Sequence, residues 1–272
     1  MAKIAQQHVV RPRDLEILAA LDRTQLTALQ LLKLSRTFVE PIGSERMVRE
    51  RLQALCDAGW VRWAQYATTS QGAAPKYYFL SPTGYAIIYG PDVAAPPKRS
   101  FARLPITLHR HSRALAEFVV HTVVAAHVGG IVLENYYREN SLRLAIDGES
   151  LTPDAAFELR TPDKRQWNFV VEVDCGTERV ESALDADSWN RKIRLYDRLL
   201  DLNYPHRFRV LVVCTAGPDR LAHILRAANK LLRNPLRALL YGVSLDDYLA
   251  QPDPLRAACF RDHAERPVAL VR

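Results

Sequence analysis

Cysteine is scarce in this sequence, and the few cysteines lie far apart. The 272 residues include 4 Cys, at positions 56, 175, 214 and 259, and no two of them form a C-x-x-C pair. A disulfide framework and a cysteine-based zinc site are therefore not expected. We interpret Cys175 as a small buried thiol.

The sequence also lacks long apolar runs and several common active-site motifs. No run approaches the roughly 20 apolar residues that cross a bilayer, and the opening MAKIAQQHVVRPRD has no signal-peptide core or cleavage site. It contains no Gly-rich phosphate loop and no G-x-S-x-G elbow. We therefore expect a cytoplasmic globular protein without a membrane partner.

Acidic residues are too few to balance the basic ones, and the imbalance is concentrated in one part of the chain. The formal net charge is +7. Residues 1–104 hold 14 Lys/Arg and 8 Asp/Glu, whereas residues 105–272 hold 23 and 22. The N-terminal part is therefore expected to attract a polyanion.

The N-terminal segment RDLEILAAL predicts an amphipathic helix. Leu15, Leu18 and Ala19 have helical spacing, and Ile17 and Leu21 widen the same apolar side. We expect this side to pack inward.

The following residues predict two more helices and two strands. The second helix, in QLTALQLLKL, begins after Thr24 or Thr27, and the third begins after Ser44 and ends before Gly59. The strands VRWAQYA and YYFLS flank the turn TTSQGAAPK, and a short helix follows at about residues 82–89. This order is typical of a winged helix-turn-helix.

The third helix and the two strands carry the candidate DNA contacts. In a winged helix, the third helix enters the major groove, so we expect Ser44, Arg46 and Arg49 near bases or phosphates. Arg62 and Lys76 on the wing would contact the DNA backbone. The same arginines also suit a solvated helix face in a module that binds protein.

A proline-rich segment separates this module from the rest of the chain. The segment GPDVAAPPKRSFARLP at residues 90–105 is typical of a semi-rigid spacer. We therefore place one domain at 1–100 and a second at 101–272.

The second domain predicts the element order αβββαβαβ. Residues 109–128 form the first helix, IVLENYY, LTPDAAFEL and FVVEVD are strands, and the nearly continuous apolar run FRVLVVC indicates a strand buried on both faces. A mixed sheet flanked by helices is expected. His109 and His111 point about 200° apart on the helix, so we expect a helix-start or surface role rather than one shared metal.

Three carboxylates are predicted to converge near one end of this sheet. Glu172 and Asp174 are two residues apart on one strand and so share a face, and Asp154 lies on the neighbouring strand. Such acids repel unless a proton or cation neutralises them, and oxygen ligands favour Mg²⁺ or Mn²⁺. Lys192 on the next helix would orient a nucleophile and stabilise charge on a phosphate. The alternative is that the acids cap neighbouring loops.

At these residues the chain resembles the PD-(D/E)XK, or restriction-endonuclease-like, superfamily. The PD dipeptide contains Asp154, and E-V-D from Glu172 to Asp174 stands where the superfamily has (D/E)-x-K. Asp174 occupies the lysine position, and Lys192 matches members that carry the lysine on the following helix. Glu117 matches an additional helix acid of some members. The resemblance implies that these residues are catalytic.

The whole layout resembles the replication-relaxation family, which combines a winged helix with a PD…E-x-D-x-G-T-E…K-x-x-x-Y domain. The residues that match this pattern are Asp154, Glu172, Asp174, Gly176, Thr177, Glu178, Lys192 and Tyr196. The resemblance covers about residues 11–250. It implies an α/β protein with a restriction-endonuclease-like domain, DNA binding, and a role in plasmids or mobile elements.

The primary prediction is a DNA-binding protein of a plasmid or mobile element that acts in replication, transfer or transcriptional control. Its partner would be double-stranded DNA, and homodimerisation is left open. Two alternatives remain: a Mg²⁺- or Mn²⁺-dependent DNA endonuclease that uses the acids above, and a protein-interaction adaptor.

Overall fold

The computed structural model describes residues 9–67, 74–182, 188–202, 207–234 and 236–271. The chain is a mixed α/β protein, as predicted, and it divides into two units, Met1–His109 and Arg110–Arg272. No helix within the described ranges is long and apolar enough to cross a bilayer. Most of the predicted turn TTSQGAAPK lies outside these ranges.

In its described residues, unit 1 contains four helices and a three-stranded antiparallel sheet. The helices are α1 (Pro12–Arg23), α2 (Ala28–Leu34), α3 (Glu45–Asp57) and α4 (Pro82–Tyr89). The strands are β1 (Leu26–Thr27), β2 (Val61–Gln65) and β3 (Lys76–Leu80), in the order β1-β3-β2. The predicted order of three helices, two strands and a short helix is confirmed, and β1 is an additional short strand.

Local signals in the sequence begin and end these helices. The Thr27 hydroxyl accepts a hydrogen bond from the Gln30 amide at 3.2 Å, so Thr27 is the N-cap of α2. The Ser44 hydroxyl accepts one from the Met47 amide at 3.3 Å and caps α3. Gly59 follows α3 with a φ of 75°, a left-handed conformation that glycine adopts without strain.

The buried side of α1 differs from the predicted one. The buried residues of this helix are Asp14, Ile17, Leu18, Ala20 and Leu21. Leu15 and Ala19 are exposed, so the inward packing predicted for them is wrong. The reason is that Asp14 takes an inward position, where Arg51 of α3 neutralises it through two hydrogen bonds. A charged residue therefore belongs to the core side of this helix.

Unit 2 contains a seven-stranded mixed sheet, a separate hairpin and four helices in its described residues. The helices are α5 (His109–Val128), α6 (Trp189–Asp201), α7 (Pro218–Leu231) and α8 (Leu245–Ala250). The strands of the large sheet are β4 (Val132–Tyr137), β7 (Ala155–Arg160), β8 (Gln166–Asp174), β9 (Phe208–Cys214), β10 (Leu240–Ser244), β11 (Phe260–Asp262) and β12 (Pro267–Val268). The hairpin consists of β5 (Leu144–Ile146) and β6 (Glu149–Leu151).

The sheet order is β12-β11-β10-β9-β8-β7-β4, and only β8, β9 and β10 run parallel to one another among the described strands. β9 is buried on both faces, as its apolar sequence predicts, and Val210 and Val212 on one face pack with α6 and α7. The predicted order αβββαβαβ omits the β5–β6 hairpin and the elements after β10. These segments are short, so their periodicity is too brief to be recognised.

We predict that the buried pair of Asp14 and Arg51 stabilises unit 1. Asp14→Ala leaves the guanidinium of Arg51, which is 17% exposed, without its main counter-charge. Breaking a buried pair costs about 3 kcal/mol or more, and a urea titration would measure the loss of unfolding free energy. Arg46→Ala, at a side chain that is 87% exposed, should change it by less than about 0.5 kcal/mol. Equal effects of both substitutions would contradict the prediction.

Candidate functional site

The predicted acidic site lies where β8 ends beside the start of β7. These strands are antiparallel, with Ala155 opposite Val171, so Asp154 lies next to the end of β8. Glu172 and Asp174 are at the carboxyl end of β8, and their side chains face the side of the sheet on which α6 and α7 pack. Alternation along β8 places Glu172 and Asp174 on one face, and the pairing of β8 with β7 places Asp154 at the same end of the sheet.

Glu172 is bound by two side chains of α6. It is 3% exposed, and its Oε2 atom accepts a hydrogen bond from the Lys192 ammonium at 2.9 Å. Its Oε1 atom accepts one from the Tyr196 hydroxyl at 2.5 Å. Lys192 also donates to Glu178 Oε1 at 2.8 Å. Because Lys192 and Tyr196 are one helical turn apart, α6 presents both groups to the same carboxylate.

Burial opposes the charges in this cluster, and Lys192 offsets it in part. Burial, with the charge of Asp154, raises the pKa of Glu172, whereas Lys192 and the Tyr196 hydroxyl lower it. Burial would lower the pKa of Lys192, but the adjacent carboxylates of Glu172 and Glu178 raise it, so Lys192 stays charged. Burial raises the pKa of Tyr196, and the charge of Glu172 adds to this effect, so the phenol keeps its proton and can donate it to the carboxylate. Burial raises the pKa of Glu178, although Lys192 opposes the rise.

Asp174 is bound by a different set of side chains. Arg220 of α7 donates to both of its oxygens, at 3.0 and 2.8 Å, which is a bidentate ion pair. The indole of Trp189 donates to Oδ2 at 2.6 Å, and the backbone amide of Gly176 donates to Oδ1 at 2.9 Å. The carboxylate is fully buried, and Arg220 compensates its negative charge. Trp189 and the Gly176 amide add two further hydrogen bonds.

Asp154 faces a third set of groups. Its Oδ2 atom accepts a hydrogen bond from the Val173 amide at 2.7 Å, and its Oδ1 atom lies 3.2 Å from Nε2 of His111 in the first turn of α5. The same Nε2 atom lies 3.9 Å from a carboxylate oxygen of Glu139, after β4. Burial lowers the pKa of His111, but the interactions with Asp154, Cys175 and Glu139 raise it to about 11.

The three acids predicted to share Mg²⁺ or Mn²⁺ thus have separate partners. Lys192 neutralises Glu172 and Arg220 neutralises Asp174, which leaves neither oxygen pair open to a cation. Among the described residues, the one group of potential metal ligands consists of His111, Glu139 and Asp154, whose ligand atoms lie within 4.8 Å of one another. The metal site formed by the three acids stays a prediction. Glu172 and Asp174 are poorly suited to bind Mg²⁺, because cationic side chains already occupy their oxygens.

Several residues of this region could not be found from the sequence. Arg220 and Glu139 lie far along the chain from the motif and have no spacing that connects them with it. His111 lies in the first turn of α5, near Asp154 and Glu139, but the angle between it and His109 argued against a shared metal. In the structure, His109 instead accepts a hydrogen bond from the Ala67 amide within unit 1. Glu117 is partly buried on α5.

The candidate DNA contacts lie on the exposed side of α3 in unit 1. Arg46 and Arg49 are 87% and 67% exposed, and each forms an ion pair one turn away along the helix, with Glu50 and Glu45 respectively. Val48 and Leu52, on the other side of the helix, are buried. The predicted amphipathicity of α3 is confirmed.

The remaining candidate DNA contacts have different surroundings. Ser44 uses its hydroxyl as the N-cap of α3. Arg62 in β2 donates to the carbonyl of Phe101 at 3.3 Å. The ammonium of Lys76 in β3 lies 3.9 Å from the ring centre of Trp63, which is 46% exposed. This is a cation–π contact on the surface of the β2–β3 pair.

The comparisons with known proteins gave one match. The family model described as replication-relaxation matches residues 15–209, more than half of the chain. This match spans most of unit 1 and continues through the acidic motif, α6 and the first residues of β9. No curated protein and no solved structure matches the chain significantly.

We predict that Lys192 stabilises unit 2 mainly by neutralising Glu172. Lys192→Met should lower the free energy of unfolding by about 3 kcal/mol because it leaves a buried carboxylate without its cation. Adding Glu172→Gln should restore part of this loss, and urea titrations of both variants would measure the coupling. Arg194→Met, at an exposed position of the same helix, should change the stability by less than about 0.5 kcal/mol. Purely additive effects at Lys192 and Glu172 would refute the prediction.

Proposed function

Because this chain belongs to the replication-relaxation family, we propose that it binds double-stranded DNA and acts in the replication or transfer of a plasmid or other mobile element, or in its transcriptional control. Unit 1 would serve as the DNA-binding module, with the geometry of a winged helix-turn-helix. The basic excess of the chain, 14 Lys/Arg against 8 Asp/Glu in residues 1–104, supports this assignment to unit 1.

The observation that carries the proposal is the exposed side of α3. The helix is held on the rest of unit 1 by Val48, Leu52 and Leu55, which are fully buried. Arg46 and Arg49 point away from this contact and are among its most exposed side chains. An α-helix anchored on one side and basic on the other has the shape required to enter a major groove.

The ion pairs of these arginines do not prevent DNA binding. Exposed pairs at i and i+4 on a helix contribute only about 0.3–0.5 kcal/mol. A phosphate or a guanine edge can replace Glu50 as the partner of Arg46, and Glu45 as the partner of Arg49, at little cost. The glutamates would also disfavour other alignments, since each repels a phosphate that approaches from the wrong side.

The β2–β3 pair supplies a second candidate contact with the DNA backbone. Lys76 and Trp63 lie on its exposed surface, where the indole holds the ammonium in place. A cation fixed in this way loses less conformational freedom when it binds a phosphate. We therefore place Lys76 beside the groove that α3 enters.

Binding of the full chain to a random-sequence 30-base-pair duplex, measured by fluorescence anisotropy against salt concentration, tests the proposal. We expect affinity to fall as salt rises, because Lys and Arg displace counterions from phosphates. Combining Arg46→Ala with Arg49→Ala should weaken binding at least about tenfold and make the salt dependence shallower.

Arg165→Ala is the matched control, since Arg165 is 55% exposed and paired with Asp163 but belongs to unit 2. It should leave both affinity and salt dependence unchanged. Affinity that is independent of salt, or a double variant that binds like the wild type, would refute the proposal and favour a protein-interaction adaptor.

Metal-dependent cleavage of DNA is a second candidate function. It is favoured by the position of Asp154, which lies at the same end of the sheet as Glu172 and Asp174. Supercoiled plasmid should then be nicked in Mg²⁺ or Mn²⁺, and Asp154→Ala should abolish nicking. Asp163→Ala, at a side chain that is 53% exposed, is the control that should nick like the wild type. Nicking that survives Asp154→Ala would not come from this site.

A further inference from the structure

We propose that His111, Glu139 and Asp154 bind one divalent transition-metal ion, such as Zn²⁺ or Mn²⁺. The site differs from the three-acid set because Glu172 and Asp174 take no part in it. It requires neither DNA binding nor cleavage, since all three ligands lie within unit 2 and can be tested on the protein alone.

The distances between the ligand atoms suit a single ion. With metal–ligand bonds of about 2.0–2.2 Å, two ligands of one tetrahedral ion lie about 3.4 Å apart. Nε2 of His111 lies 3.2 Å from Asp154 and 3.9 Å from Glu139. All three ligand atoms lie within 4.8 Å of one another, and the Glu139 side chain is 32% exposed and therefore free to adjust.

The Nε2 atom of His111 lies between two carboxylates, where either the imidazole proton or a metal ion can compensate their charge. Nε2 is buried and faces two carboxylates, yet its alignment makes no hydrogen bond with the described residues. Buried polar atoms normally have a hydrogen-bond partner. A metal ion between the imidazole and the carboxylates would satisfy this atom and separate Glu139 from Asp154.

The ligand set selects among metals. Magnesium prefers an octahedral shell of oxygen atoms, whereas an imidazole nitrogen suits zinc and the later transition metals, and the two carboxylates also suit manganese. Three protein ligands leave positions for water, as in zinc sites that are open to solvent. The ligands are 17–32% exposed, so an ion can reach them.

The surrounding residues hold two of the ligands in place. The Val173 amide donates to Oδ2 of Asp154 at 2.7 Å and leaves Oδ1 directed at His111. Cys175 also interacts with the imidazole ring of His111. Such outer contacts orient the ligands of a metal and reduce the cost of assembling them.

Isothermal titration calorimetry on the full chain, stripped of metal with a chelator and free of DNA, tests the site. Zn²⁺ and Mn²⁺ should each bind with a stoichiometry of about one, and Mg²⁺ should bind more weakly. His111→Ala and Glu139→Gln should each weaken Zn²⁺ binding at least about tenfold. In NMR spectra of histidine-labelled protein, His111 should be the first of the 8 His to shift.

His223→Ala is the matched control. His223 and Glu181 also form an imidazole–carboxylate pair at 3.2 Å, about half exposed, which among the described residues belongs to no group of three potential metal ligands. This variant should bind Zn²⁺ like the wild type. Circular dichroism would show whether His111→Ala is folded. If it is not, the Zn²⁺ affinity of Glu139→Gln tests the proposal.

Three results would overturn the proposal. The first is that the wild type binds no metal ion with a stoichiometry of one. The second is that folded His111→Ala and Glu139→Gln bind Zn²⁺ with wild-type affinity. The third is that Mg²⁺ binds as tightly as Zn²⁺ and that His111→Ala does not change Mg²⁺ binding. None of them bears on DNA binding by unit 1, so the two proposals can fail independently.

Discussion

Two buried carboxylates at the end of one strand set the requirements for the rest of unit 2. Glu172 and Asp174 point to the same face of β8, where neither can remain charged without a cationic partner. α6 supplies Lys192 to the first, and α7 supplies Arg220 to the second. The positions of both helices on the sheet are thereby coupled to the charges of a single strand, in addition to their apolar packing.

Unit 1 uses the same principle between two helices. Asp14 of α1 is fully buried, and Arg51 of α3 reaches it across the core. A buried ion pair adds less to stability than apolar packing of the same volume, but its geometry permits few alternative alignments. The pair therefore connects α1 with α3, while Arg46 and Arg49 remain on the outer side.

Sequence patterns predicted the elements of this chain well where the periodicity is long. The limits of α4 and α5, the capping by Ser44 and the central strand β9 all agree with the structure. The prediction was wrong for α1, because helical periodicity counts Asp14 as a surface residue although Arg51 allows it to be buried. Apolar spacing alone therefore predicted a buried side that includes Leu15 and Ala19.

The candidate site was only partly predictable for a related reason. The alternation of β8 and its pairing with β7 place Asp154, Glu172 and Asp174 together, and the helix after them supplies Lys192. Which partner neutralises which acid depends on contacts between residues far apart in the chain. Arg220 of α7 and Glu139, in the turn after β4, reach the site only in the complete fold, so no local pattern identifies them.

The parallel pairing of β8, β9 and β10 has a consequence for how the protein folds. Parallel neighbours cannot be joined by a tight hairpin. Here the chain passes through α6 between β8 and β9, and through α7 between β9 and β10. Closing such long loops costs entropy before any contact repays it, which slows folding. In unit 1, β2 and β3 are close in sequence and pair antiparallel. We therefore expect unit 1 to reach its native state while unit 2 is still collapsing, with its two strand-end acids hydrated until their helices arrive.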